Sequence, residues 1–140
     1  MLRNLVIVLT IVAFATACQT NPKEARMNPF MQPYDAPFGI PPFEKITLAD
    51  YMPAFEAGMV EQKAEVEAIS ANPEAPTFAN TVEALERSGA LLTRVSDVFF
   101  NLNSSLTSDS MQALAKAVSP KLSAHSDDIM LNQKLFERVR

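Results

Sequence analysis

From Phe78 to Leu102 the apolar residues recur at intervals of three, four or seven: Phe78, Val82, Leu85, Gly89, Leu92, Phe99 and Leu102. That spacing lines one face of an α-helix and does not fit the two-residue alternation of a half-buried strand. It reads as a nearly heptad seam, and a seam needs a partner helix. The same period continues on both sides. Met52, Phe55, Met59, Val66 and Ile69 share a face upstream, and Met111, Leu114, Val118, Leu122, His125 and Ile129 share one downstream. A short piece opening at Asn132 presents Leu135, Phe136 and Val139. The chain is therefore expected to be all-α.

The boundaries are written in local chemistry. Thr47-Leu48-Ala49-Asp50 approximates a capping box, with Asp where Glu is usual. If Thr47 is the cap, Pro53 interrupts the second turn and should kink it; if Asp50 is the cap, Pro53 falls in the tolerant first turn. Asn72-Pro73 ends this first helix. A second begins near Thr77. Within it Gly89 marks either a break at Ser88-Gly89 or a close approach by a neighbouring helix. Thr107 precedes a third, in which Ser119-Pro120 signals a kink or a split. Surface pairs Glu83/Arg87 and Arg94/Asp97 are spaced for helical ion pairs.

The residues before Thr47 cannot continue this pattern. Half of the ten prolines fall between Pro29 and Pro42, interleaved with Phe30, Tyr34, Phe38 and Phe43. Proline fixes φ and removes a donor, so residues 28–46 are expected to form an extended, PPII-like arm. Exposing that many large apolar side chains is costly. The expectation is that the aromatics plug into the helical body. The alternative is a ligand for an aromatic groove elsewhere.

The first residues look like an address. Arg3 is followed by an apolar run from Leu5 to Ala17, broken only by Thr10 and Thr16. This is too short to span a bilayer and matches the apolar core of a secretory signal. Ala15-Thr16-Ala17-Cys18 resembles a bacterial lipoprotein cleavage site, with Ala15 where the pattern usually has Leu. The expectation is that residues 1–17 are removed and Cys18 becomes the lipidated N-terminus, followed by a tether over 18–27. Gln19 after the Cys suggests sorting to the outer membrane, facing the periplasm.

Composition excludes much of the remaining chemistry. The chain has 140 residues, 12 Lys plus Arg against 16 Asp plus Glu, one His and one Cys. A net charge of −4 argues against nucleic acid. One Cys forms no internal disulfide. One His and one Cys cannot make an ordinary zinc site without carboxylates supplying nearly every ligand. There is no H-E-x-x-H, and with Gly39, Gly58 and Gly89 as the only glycines there is no P-loop or dinucleotide fingerprint. Ser123, His125 and Asp127 are close in sequence, but residues two apart on a helix do not face each other. His125 lies on the apolar stripe and reads as a core histidine bonded to a neighbour. Asp127-Asp128 reads as a solvated or capping pair. No catalytic or metal-ligating residue is assigned within the chain.

Several blocks in order carry a resemblance. They are Asn28-Pro29-Phe30, Pro41-Pro42-Phe43, Tyr51-Met52-Pro53-Ala54-Phe55-Glu56, the run Asn72 to Thr81 and Ala84-Leu85-Glu86-Arg87-Ser88-Gly89. Val95 to Leu102 and Ala124-His125-Ser126-Asp127-Asp128 continue them. Together these resemble the N-terminal region of the thimet-oligopeptidase family of zinc metallopeptidases, nearest its peptidyl-dipeptidase branch and next its oligopeptidase A-like branch. The resemblance implies a large, almost wholly helical enzyme with two lobes around a deep channel, of which residues 47–140 would be part of the N-terminal lobe. It implies zinc held by the two His of H-E-x-x-H and a downstream Glu, and short peptides as substrates. None of those ligands maps onto this sequence, so they are expected beyond residue 140 and these residues alone are expected to be inactive. The abrupt stop at Arg140 without a cap is read as a cut within a longer chain. The competing reading is a small, complete, non-enzymatic helical lipoprotein acting as an interaction or peptide-binding module.

Overall fold

The computed structural model describes residues 26–140; the apolar leader and Cys18 lie outside the described residues. The described residues are all-α, with no strand among them. The helices are α1 (Leu48–Ser70), α2 (Ala84–Arg87), α3 (Ala90–Ser105), α4 (Asp109–Met130) and α5 (Gln133–Val139). A π-helical turn, Phe78–Glu83, runs directly into α2.

Thr47 is the cap of α1. The Asp50 carboxylate reaches back to accept from the Thr47 N–H and hydroxyl, each at 2.7 Å. Pro53 then sits inside the helix, and Pro120 sits inside α4, yet both helices run on without interruption. Each proline is exposed, as are Ala49 and Lys116, whose carbonyls would have accepted the missing N–H. Water can serve those carbonyls, which reduces the usual penalty for an interior proline. Ser119–Pro120 therefore splits nothing.

The second predicted helix is three pieces. Thr77 caps the π-helical turn reciprocally with Asn80, at 3.1 and 2.9 Å. Ser88 is extended and Gly89 left-handed at φ 74°, so α2 ends and α3 starts on a new axis. The break re-phases the apolar stripe. Leu91, Leu92, Val95, Val98 and Phe99 are buried, whereas Phe78 and Val82, the first residues of the predicted seam, face solvent. A seven-residue spacing counted through a left-handed residue no longer marks one face.

α1 is the hub. It packs against α3, α4 and α5, and the α1–α3 contact is the most extensive. A Cβ added at Gly58 would lie 2.8 Å from both the Cα and the N of Leu92, so α3 rests directly on the α1 backbone there. Around this crossing the core is aromatic. Phe30 meets Tyr51 at 5.3 Å, Tyr51 meets Phe99 at 5.1 Å and Phe55 meets Phe99 edge-on at 5.5 Å between centroids.

Three short 3-10 turns, Pro29–Met31, Pro37–Gly39 and Phe43–Lys45, punctuate the arm, with extended residues such as Gln32, Ala36 and Ile40 between them. Its aromatics divide. Phe30 is wholly buried and Tyr34 half-buried, while Phe43 is half exposed and Phe38 entirely so.

Candidate functional site

Two polar junctions organise the helices. The first fastens the arm. Arg26 donates to both Asp50 carboxylate oxygens at 2.6 and 2.5 Å and to the Lys45 carbonyl at 2.7 Å. Asn28 donates to the Asp50 carbonyl at 2.8 Å. Burial pushes the Asp50 carboxyl up, but hydrogen bonds from Arg26 and Thr47 outweigh it and hold it below the usual carboxylate range. From α3, Arg94 donates to the carbonyls of Phe30 and Gln32 at 2.9 and 3.2 Å and lies 5.5 Å from the centre of the Tyr34 ring. Arg94 therefore serves the arm rather than the predicted pair with Asp97. The Tyr34 hydroxyl is buried with no hydrogen-bond partner, and burial raises its pKa against the lowering effect of Arg94.

The second junction joins α1, the Ser88–Gly89 break and α4. His125 Nε2–H donates to Gln62 Oε1 at 2.8 Å. The Gln62 amide nitrogen reaches Ser88 Oγ at 3.4 Å, and Ser88 Oγ donates to the Leu85 carbonyl at 2.7 Å. The Gly89 N–H donates to Glu65 Oε2 at 2.7 Å. Burial lowers the pKa of His125, Lys63 lowers it further and Asp128 partly opposes both. A buried imidazole kept neutral and bonded to an amide is a structural element, as the stripe predicts. Ser123 and Asp127 are exposed and neither bonds to it, so the structure assembles no triad. Asp128 pairs with Lys63 at 2.9 Å across the α1–α4 boundary. Glu83 and Arg87 form the expected helical ion pair.

Among the described residues no three His, Cys, Asp or Glu side chains stand close enough to hold a metal ion. The described residues do not assemble a zinc site. An open cleft of about 710 Å³ lies along the arm, bordered by Asn28, Tyr34, Asp35, Ile40 and Lys45. It contains no nucleophile–base pair. None of the described helices is long and apolar enough to cross a membrane.

Two features escape a sequence reading: the Gly58–Leu92 contact between α1 and α3 and the Arg26–Asp50 pair of the first junction. Gly58 carries no local turn signal. Arg26 falls in a segment that reads as a polar tether.

Fold and junctions define a helical scaffold, an all-α unit whose buried polar groups serve packing. Comparison with known proteins shows what this scaffold is similar to. The chain is 45% identical over 113 residues, 81% of its length, to a dipeptidyl carboxypeptidase of Escherichia coli (strain K12). It is 46% identical over 112 residues, 80% of its length, to a dipeptidyl carboxypeptidase of Salmonella typhimurium (strain LT2). It spans only 17% and 16% of the length of these two curated relatives. No protein-family profile matches the chain. Over four-fifths of its length the chain is thus a relative of the dipeptidyl carboxypeptidases of the thimet-oligopeptidase family.

Proposed function

We propose that these 140 residues are the N-terminal helical portion of a longer zinc metallopeptidase that hydrolyses short peptides and releases dipeptides from their C-termini. The 45% identity to a protein named for that activity carries the proposal. The similarity extends across most of a chain whose helices share one aromatic core, so it is not confined to an isolated motif.

In this account the helices wall the peptide channel and perform no chemical step. The lone histidine is spent on Gln62. The zinc, its two His and Glu ligands and the water-activating Glu of H-E-x-x-H belong to the longer chain outside these residues. Residues 1–17 direct export, and Cys18 carries acyl chains that hold the enzyme at the outer membrane, facing the periplasm. Residues 18–27 form the tether, 28–46 the arm and 47–140 the lobe.

The test is an N-blocked hexapeptide incubated with the longer protein, its products read by mass spectrometry. The expected product is the C-terminal dipeptide, with release stopped by a chelator and restored by zinc. Release from the N-terminus, or no cleavage, would refute the proposal. Turnover by residues 18–140 alone would place the catalytic groups within these helices and refute the division of labour. For the anchor, mass spectrometry of the membrane fraction should find Cys18 as an acylated N-terminal residue. An unmodified, soluble Cys18 would remove it.

A further inference from the structure

Four large apolar side chains stand in water on two adjoining elements. The π-helical turn presents Phe78, 74% exposed, and Val82, 40%; α5 presents Phe136, 61%, and Val139, 51%. The two elements touch. Arg138 ties them together, donating to the Asn72 carbonyl at 2.6 Å and to Asn80 Oδ1 at 3.2 Å. Leu135 and Thr81 are buried beneath them. Met130, at the end of α4 just before α5, is 78% exposed.

Apolar residues scattered singly over a surface need no explanation, whereas a group of them on fastened elements marks a place where something packs. The local backbone supports this. A π-helical turn is a rare form that recurs at functional positions. Here it points Thr81 inward and leaves Phe78 and Val82 outside. The surface is preformed, because Arg138 and Leu135 hold α5 in place before any partner arrives.

We propose that this surface is the seam on which the remainder of a longer chain packs, covering Phe78, Val82, Phe136 and Val139 with an apolar face of its own. The inference rests on the proposed function. The choice of occupant comes from length: relatives matching four-fifths of this chain are matched over only 17% and 16% of their own. A protein built like them has some five times as much polypeptide to place against these helices. The four side chains at the seam are all uncharged, and Arg138 is turned inward onto Asn72 and Asn80, so the fitting partner surface is apolar at its centre, with Glu83, Glu137 and Arg140 beside it.

Hydroxyl-radical footprinting of the longer protein tests this on native side chains. Oxidation of Phe78 and Phe136 is compared with that of the same residues in its proteolytic peptides. The seam requires protection of more than about twofold, because the core of a well-packed interface excludes water. Protection of less than about twofold, the value their exposure in this chain allows, would overturn it. So would protection that disappears on dilution as a dimer dissociates in sedimentation, because the occupant would then be a second copy. The hexapeptide assay on the same preparation separates the two claims. Protection without dipeptide release upholds the seam and sinks the enzymatic proposal; release without protection does the reverse.

Discussion

Gly58→Ala sets two effects of opposite sign against each other. Replacing a mid-helix glycine with alanine should stabilise α1 by about 0.8–1 kcal/mol through helix propensity alone. The new methyl, however, would lie 2.8 Å from two backbone atoms of Leu92 and 3.1 Å from its Cβ. Ordinary carbon contacts lie at about 3.5–4 Å. The α1 and α3 backbones must therefore separate by several tenths of an ångström, through a core whose rings already touch. A flexible side chain could swing aside, but backbone cannot. Overpacking of this kind costs about 1–3 kcal/mol and occasionally more. The expected net is a destabilisation of about 1 kcal/mol, or some 4–8 °C in Tm for a domain of about this size. Urea unfolding followed by helical circular dichroism measures it. A stabilised Gly58→Ala protein would mean that propensity governs the site and that α3 does not rest on α1 there.

Further predictions concern the two junctions and the core. Phe99→Ala should cost about 3–5 kcal/mol, the range for emptying an aromatic core site, and a smaller loss in urea unfolding would move the centre of the core elsewhere. Arg26→Ala leaves the buried Asp50 carboxylate without its strongest donor and should cost about 1.5–3 kcal/mol. It should also deprotect residues 26–32 in hydrogen exchange; unchanged protection would show that Arg94 alone holds the arm. His125 has a native pKa below its ordinary value of about 6.5. The unfolded chain therefore takes up the proton first, and stability should fall as pH drops from about 6.5 towards the native pKa. His125→Gln should abolish that component of the slope, and urea midpoints for the two proteins that stay parallel from pH 7.5 to pH 5.5 would contradict it.

What could be read in the sequence, and what could not, follows from the range of the interactions. The helical period, the Thr77 cap and the stop at Asn72-Pro73 are local, and α1 and α4 lie where they imply; the choice between Thr47 and Asp50 as the first cap needed the Asp50 carboxylate turned back onto Thr47. His125 was legible because its position on an apolar stripe leaves little room for any role but a satisfied core group. The seam from Phe78 was misread at its start because its phase passes through Gly89, whose left-handed φ redirects the axis. Pro120 was ambiguous for a different reason. Whether a proline splits a helix depends on whether the freed carbonyl meets water, and that depends on which face of α4 is turned outward. Gly58 and the Arg26–Asp50 pair were invisible because their meaning lies in partners 34 and 24 residues away. The arm stood between these cases: its proline content excluded helix, but nothing in the spacing distinguished buried Phe30 from exposed Phe38. The enzymatic resemblance was legible for yet another reason. It rests on ordered blocks of sequence and on no catalytic motif within the chain.

The most direct test of the central claim, that this scaffold is one part of a larger zinc peptidase, is to read the gene across codon 140. The account predicts an open frame that continues to an H-E-x-x-H motif with a glutamate ligand downstream. A stop codon immediately after Arg140 would contradict it and leave the described helices as a small protein without a catalytic centre.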